Sequence, residues 1–468
     1  MYKTDTICAV ATGMGRSAIG MIRVSGPEAV PVCDGIFKGK KRIKDMDSFT
    51  AAFGRIMDGD TILDEAVVLV MKAPHTYTTE DTVEIDLHGG TYVVRKVMDL
   101  LIRKGVRTAE PGEFTKRAFM GGRIDMTEAE AVMDVINAES DMALSASVNQ
   151  LTGRLRDEIR DLREKILYNT AYIESALDDP ENYSLDGFDE NLNATVEEVL
   201  SRIDVLIDSS DEGRIIKEGI RTAIVGRPNA GKSSILNLLL GENRAIVTDV
   251  EGTTRDTLEE YAEIDGIVLK LIDTAGIRET EDTVEKIGVE KARKSIDEAD
   301  LVLLVIDGSE GLTENDREII QLLGDKKVIV LINKSDKQQI ISDEDIIKMV
   351  GETLDISRVS KADVDVLQIS AKTAEGLAQL KEKIKELFFS EKIDYNNQVY
   401  ITNTRNKESL IAAKSSLEKV AESVAAGVGE DFYTIDLMSA YESLGEIIGE
   451  ALEDDLADKI FREFCMGK

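Results

Sequence analysis

The chain has 468 residues, a formal net charge of −33 and a pI near 4.5. A surface of that sign repels nucleic acid and anionic membrane, so any RNA contact must be local or borrowed from a partner. Three scattered cysteines, Cys8, Cys33 and Cys465, exclude a disulfide framework, and with no signal peptide or long apolar span the sequence points to a reducing, cytoplasmic setting without a membrane.

The length allows about three domains of roughly 150 residues. Residues 7–11, 18–24, 48–56, 65–71 and 82–87 are β-rich runs separated by turn residues. A helical stripe, Val93, Val97, Leu100 and Leu101, follows over 92–104 and closes at Gly105. Residues 1–120 therefore read as a small α+β domain. Its charges beside glycine turns are Arg23 before Ser25-Gly26, Glu84 before His88-Gly89-Gly90, and Arg123 after Gly121-Gly122. Composition alone reads each as a solvated charge, and His88 as a turn residue. Neither His88 nor His75 has a Cys/His cluster of zinc spacing around it.

From Met126 the pattern turns helical. Thr127-Glu-Ala-Glu130 fits a capping box, and apolar residues at three- and four-residue spacing from Val132 to Ile173 predict one long helical run ending near Asp178. A second helix is expected over 194–207, with Gly213 and Gly219 marking the start of a new domain. Helices return after 388, over 406–426, 435–451 and 454–464. Helices on both sides need a shared core, so the unit between them, about 217–384, is read as an insertion that leaves 121–216 and 385–468 as two parts of one helical domain. The helical stripes read as core packing and dimer surface.

That inserted unit carries the chemistry. Residues 226–234, GRPNAGKSS, fit G-x-x-x-x-G-K-[ST] between the apolar run 221–225, a buried strand, and the helical run 234–240. Such a loop turns successive N–H groups at Asn229, Ala230 and Gly231 towards phosphate oxygens; Lys232 reaches the β- and γ-phosphates, Ser233 ligates Mg²⁺, and Ser234 opens the helix. The strand 268–272 ends in Asp273-Thr274-Ala275-Gly276, an acid for the Mg²⁺ shell and a glycine N–H for the γ-phosphate. The strand 328–332 ends in Asn333-Lys334-Ser335-Asp336, whose Asp336 carboxylate can accept two hydrogen bonds from guanine that adenine cannot offer, which makes the ligand GTP. Ser370-Ala371-Lys372, after the strand 366–369, is placed to meet the guanine O6.

The residue after D-T-A-G is Ile277, where small GTPases have a glutamine that positions water. Hydrolysis therefore needs another acid/base group, for which Glu285 is the candidate, and another source of positive charge. The Asn229 carboxamide is placed to help hold a monovalent cation, or else it is a turn former after Pro228.

The motif R-P-N-A-G-K-S-S, the stretch from Thr248 to Asp256, D-T-A-G-I-R, N-K-S-D, Pro111-Gly-Glu-Phe-Thr-Lys-Arg-Ala-Phe119 and the C-terminal Phe464-Cys465-Met466-Gly467-Lys468 together resemble the tRNA-modification GTPases of the MnmE (TrmE) family, from Thr6 to Lys468. The resemblance implies α/β plus all-α architecture: a P-loop GTPase domain inserted into a helical domain, preceded by an α+β folate-binding and dimerisation domain. It implies a homodimer, a potassium-activated G domain and a flavoprotein partner, MnmG, in a heterotetrameric or larger complex that brings FAD and NADH and holds most of the tRNA. Together they would install an aminomethyl or carboxymethylaminomethyl group on C5 of the wobble uridine, using a tetrahydrofolate derivative (5,10-methylene- or 5-formyl-). By similarity Arg23, Glu84, Arg123 and Lys468 contact the folate. Asn229, Thr248, Val250 and Thr253 hold potassium, and Ser233 and Thr254 hold Mg²⁺. Asp249, Glu251 and Gly252 complete the nucleotide-binding stretch, Arg255 lies in the first switch, and Glu285 matches the general base. Met466 replaces the usual isoleucine of the tail, His75-Thr76 also differ, and Thr79 stands where the family has glycine, so a positive φ there would reshape the loop near Glu84.

A regulatory GTPase in ribosome assembly would explain only 217–384, and a non-enzymatic folate-binding dimer would leave the intact nucleotide motifs without a use. Cys465 has no disulfide partner, and beside the positive charge of Lys468 its thiol is either idle or reactive. The expectation is that the tail folds back on the N-terminal domain and Cys465 acts near the folate.

Overall fold

A computed structural model of the chain describes residues 5–13, 15–183, 185, 187–242, 260–272, 293–324, 326–353, 364–389, 399–429, 431–450, 460–461, 464 and 467. They form two compact units, one of Met1–Met133, Gln150–Glu197 and Ala412–Lys468, the other of Asp134–Asn149 and Glu198–Ile411. In sequence the second unit interrupts the first twice, with a short segment, 134–149, and a long one, 198–411.

The first unit opens with β1 (Ile7–Val10), β2 (Ile19–Ser25), α1 (Ala29–Ile36), β3 (Phe37–Gly39), β4 (Thr50–Asp58), β5 (Thr61–Met71), β6 (Thr82–His88), α2 (Thr91–Arg103), β7 (Arg107–Thr108) and α3 (Glu113–Met120). The strands pair as β3-β4-β5-β6-β2-β1-β7, antiparallel except for β1 with β7. Their alternation sends Ile22, Val24, Val68, Val70, Val83 and Ile85 into one core with Val94, Val97, Leu100 and Leu101 of α2. The buried stripe of α2 thus runs through Val94, with Val93 only half-buried. Cys8 and Cys33 lie in the same core, where burial pushes the Cys8 thiol up to about 12 and the Cys33 thiol up as well, which leaves both unreactive.

The expected single helical run is three helices: α4 (Met126–Asn137), α5 (Asp141–Leu151) and α6 (Arg154–Asp178). Ser140 caps α5 through the Ala143 N–H at 3.1 Å, and Gly153 takes a φ of +84° before α6. The cap of α4 is Asp125, two residues earlier than Thr127: its Oδ1 accepts the Glu128 N–H at 2.9 Å and the Glu128 carboxylate returns to the Asp125 N–H at 2.9 Å. In the first unit α6 packs along the helix Asp431–Ile448, where Arg163 stacks 3.9 Å over the Tyr441 ring and pairs with Glu450.

The second unit takes α7 (Phe188–Glu218) from Glu198 onward, then β8 (Ile220–Val225), α8 (Lys232–Glu242), β9 (Glu260–Ile264), β10 (Ile267–Ile272), β11 (Leu301–Asp307), β12 (Lys327–Asn333) and β13 (Val364–Gln368). The sheet order is β13-β12-β11-β8-β10-β9, parallel except for the β9–β10 hairpin. All seven residues of β11 are buried: Leu301, Leu303 and Val305 face one core, Val302, Leu304 and Ile306 the other. This is the continuous apolar run of a parallel strand covered on both faces. Gly213 does not end a helix; it lies inside α7, where a Cβ would sit 2.4 Å from the Ile401 carbonyl oxygen.

Candidate functional site

In the second unit the chain leaves β8 to one side, through α8 to β9 and β10, and returns on the other side to β11. That reversal opens a crevice at the carboxyl ends of β8 and β11, where open α/β sheets bind ligands. The loop after β8 runs into α8, whose first residues are Lys232, Ser233 and Ser234. Asn229 takes a φ of +63° and Gly231 a φ of +102°. No side chain fits at 231, since a Cβ would lie 2.1 Å from Asn333 Nδ2. Lys232 Nζ donates to the carbonyls of Gly226 at 2.8 Å and Arg227 at 2.9 Å, and burial lowers its pKa.

The loops after β12 and β13 close on this one. Asn333 Nδ2 donates to the Ala230 carbonyl at 2.9 Å, and its Oδ1 accepts the Ala371 N–H at 3.2 Å. Lys334, at a φ of +66°, donates to the Asn229 carbonyl at 3.2 Å. Asp336 Oδ1 accepts from Ser370 Oγ at 2.9 Å, and the same oxygen of Ser370 accepts the Thr373 N–H at 3.2 Å. Lys372 is exposed beside them. The structure thus brings together Asn229, Ala230, Gly231, Lys232, Asn333, Lys334, Asp336, Ser370 and Ala371. Thr248, Asp249, Val250, Glu251, Gly252, Thr253, Thr254, Arg255, Asp273, Thr274, Ala275, Gly276, Ile277, Glu285, Cys465, Met466 and Lys468 lie outside the described residues. Asp307, at the end of β11, escapes a motif search because a lone acid after an apolar strand has no signature; it pairs with Lys334.

A second concavity lies in the first unit, a cavity of about 720 Å³ lined by Arg23, Tyr77, Thr79, Glu84 and Arg123 among others. Arg23 and Glu84 are not solvated charges. They are cross-strand partners on β2 and β6, paired at 2.8 Å, with side chains 15 % and 16 % exposed. Two guanidiniums lie over the Tyr77 ring, Arg23 at 5.8 Å and Arg123 at 4.9 Å from its centroid, and burial raises its own pKa. Tyr77 is fixed by Thr115 Oγ1 at 3.0 Å, and the loop behind it by Arg117, 2 % exposed, which donates to Glu80 at 2.9 Å and Asp5 at 2.9 Å. Thr79 takes a φ of +62°, so the loop keeps a turn that favours glycine with a β-branched residue in it, at about 1–2 kcal/mol. Arg23 also donates to the Gly467 carbonyl at 3.3 Å, and Gly467 packs on Val10 and Ala11. His88 closes β6 with its ring on Asp64 at 2.7 Å.

Residues 6–123 match the family model of the GTP-binding protein TrmE N-terminus, and residues 126–465 that of the MnmE helical domain. A tRNA modification GTPase MnmE of Lachnoclostridium phytofermentans is 50% identical over the whole of both chains. The chain belongs to the MnmE family of tRNA modification GTPases. Two further MnmE proteins, from Clostridioides difficile (44% identical, all of both chains) and Staphylococcus haemolyticus (42% identical, 99% of each), match it end to end. The TrmE N-terminal match takes in every residue that lines the cavity, and the MnmE helical match begins at the first residue of α4.

Proposed function

We propose that this MnmE-family chain is a potassium-activated GTPase that, with the flavoprotein partner MnmG, adds a carboxymethylaminomethyl or aminomethyl group to C5 of the wobble uridine of certain tRNAs, with a folate as one-carbon source. It acts as a homodimer in the cytoplasm. The observation that carries the proposal is the pairing, on one chain, of a base-reading loop hydrogen-bonded to a P-loop with a separate cavity that gathers Arg23, Glu84 and Arg123. Residues 1–120 serve folate binding and dimerisation, 121–216 and 385–468 form the helical domain, and 217–384 the G domain.

In the G domain Asp336 selects guanine, Lys232 and the N–H groups of 229–234 hold the phosphates, and Ser233 with Thr254 holds Mg²⁺. Potassium is assigned to Asn229, Thr248, Val250 and Thr253; the Asn229 carboxamide is a neutral oxygen donor of the kind a dehydrated monovalent cation accepts. When bound, the cation supplies positive charge beside the β- and γ-phosphates. Glu285 polarises the attacking water and Arg255 belongs to the first switch.

In the N-terminal cavity, two guanidiniums around a flat phenol ring suit a ligand with a planar heterocycle and carboxylates, and the volume suits a ligand of folate size. Lys468 is assigned to the same ligand. The contacts of Gly467 with Arg23, Val10 and Ala11 support a tail that lies against the N-terminal sheet, and Cys465 is assigned to act near the folate. When bound, the folate supplies the one-carbon unit.

Two measurements test the proposal. GTP hydrolysis is expected to be slow in sodium and strongly raised in potassium at matched ionic strength, and Asn229→Ala to lose that response while still binding nucleotide. Equal rates in the two salts overturn the potassium assignment. Nucleosides from the tRNA of a deletion strain are expected to lack the modified wobble uridine, and a normal level there overturns the tRNA function.

A further inference from the structure

Asp307 belongs to none of the nucleotide motifs, yet it sits among them. It is the last residue of β11, with its side chain 3 % exposed. A carboxylate so buried must be compensated. Burial alone would raise its pKa, but the Lys334 ammonium, the Ser309 hydroxyl at 2.7 Å and the Ser309 N–H at 3.0 Å hold it below the usual carboxylate range. Lys334 spends the same ammonium on the Asn229 carbonyl at 3.2 Å. Both Lys334 and Asn229 take positive φ without being glycine, a conformation that persists only where the surroundings determine it.

The backbone around the pair is fixed as well. Gly308 N donates to the Asn333 carbonyl at 3.0 Å and Ile340 N to the Gly308 carbonyl at 2.8 Å. Gln339 Nε2 donates to the Lys334 carbonyl at 2.7 Å, and its Oε1 lies where a Cβ on Gly308 would be. Two residues after Gly308, Glu310 takes the Arg227 guanidinium of the P-loop at 2.8 Å. The loop after β11 therefore grips both nucleotide loops at basic residues, and Asp307 is its buried grip.

We infer that Asp307 is a positioning residue of the GTPase site: by holding Lys334 it fixes the Asn229 carbonyl, and with it the turn from which the Asn229 carboxamide is presented. The inference rests on the proposed potassium activation for its clearest readout. A purely structural acid would affect only thermal stability when neutralised. A positioning acid moves the cation requirement.

The experiment is Asp307→Asn in the full chain, with GTP hydrolysis titrated against potassium chloride at constant ionic strength and GDP affinity read from a fluorescent analogue. Expected are a fall in GDP affinity of about tenfold and a rise of at least about threefold in the potassium concentration for half activation. The rate at saturating GTP and potassium should stay within about twofold of the parent. Ser309→Ala, which keeps the Asp307–Lys334 pair, should leave the half-activation point unmoved. If Asp307→Asn is recovered only unfolded, Lys334→Met, which removes the other half of the pair from a partly exposed side chain, must shift the half-activation point in the same direction. A parent chain with equal rates in sodium and potassium overturns the proposed activation and this inference with it. A parent that responds to potassium, with an Asp307→Asn half-activation point equal to its own, overturns the positioning role alone.

Discussion

Asn333, the last residue of β12, holds the P-loop and the loop after β13 at once, through the Ala230 carbonyl at 2.9 Å and the Ala371 N–H at 3.2 Å. The carboxamide is 2 % exposed, so no solvent replaces it when it is removed. Asn333→Ala leaves a buried acceptor and a donor unpaired, at about 1–3 kcal/mol, which lowers guanine nucleotide affinity by about 5–150-fold. Titration with a fluorescent GDP analogue measures it, and an unchanged Kd would show that the two loops hold their positions without the bridge.

The roles proposed for Glu285 and Asp336 predict that binding and chemistry separate. Glu285→Ala should keep GTP affinity and slow hydrolysis by roughly 10² or more, the usual contribution of a general base. Asp336→Asn should do the reverse, since it removes the acceptor proposed for guanine and changes the partner of Ser370 Oγ. Single-turnover rates with Kd values for both variants decide, and parental hydrolysis by Glu285→Ala would place the base elsewhere.

Thr79 and Gly121 form a pair that can be tested by stability alone. A Cβ on Gly121 would lie 2.3 Å from Thr79 Oγ1, and Thr79 itself is strained at a φ of +62°. Gly121→Ala should destabilise the chain by about 1–3 kcal/mol, and Thr79→Gly should stabilise it by up to about 1 kcal/mol. The double variant should recover much of the Gly121→Ala loss. Additive shifts in the unfolding midpoint would mean that the two side chains do not meet.

Acid should loosen the first unit through Asp5. The Arg107 guanidinium at 2.6 Å, with Arg117 at 2.9 Å, holds its pKa at about 2, against the opposing effect of burial. A depressed carboxylate contributes stability above its unfolded value of about 3.9, and that contribution is lost as pH falls towards 2. The Asp5 side chain is 38 % exposed, so the contribution is about 1 kcal/mol after solvent screening. Asp5→Asn should lower the urea midpoint at pH 5 and flatten its fall between about pH 4 and about pH 2. An equal slope in both proteins would move the acid sensitivity to another group.

The role proposed for Cys465 predicts a separable phenotype. Cys465→Ser should leave potassium-stimulated GTP hydrolysis near the parental rate and abolish the wobble-uridine modification in cells. A Cys465→Ser strain with normal modified uridine returns the thiol to an idle role.

Motifs that bind through the backbone were legible in the sequence, because GRPNAGKSS and N-K-S-D fix residue types at fixed spacing, and the structure sets both at strand ends. Periodicity found β1, β2, β4, β5 and β6 of the first sheet and missed β3 and β7, which at three and two residues are too short to alternate; it also joined α4, α5 and α6 into one helix, since the apolar spacing continues across breaks made by Ser140 and Gly153. Gly213 looked like a boundary because a close approach by Ile401, distant in sequence, cannot be seen locally. Arg23 and Glu84 looked solvated for the same reason: their pairing depends on the register of β2 against β6. Asp307 was invisible because its partner, Lys334, comes from the loop after another strand, β12.

The packing of α6 on the helix Asp431–Ile448 sets a timetable for synthesis. Arg163 and Glu450, which pair in the finished fold, are 287 positions apart. At roughly 5–20 residues per second, the stripe of Leu155, Ile159, Leu162 and Ile166 waits roughly 15–60 s on the ribosome for the helix that covers it. Nascent chains stalled within the inserted unit therefore carry an uncovered apolar helix. They should be held by chaperones or degraded, and the sheet of the second unit, whose strands are all translated before residue 369, is itself covered only once Leu377, Leu380, Ile384 and Phe388 have followed.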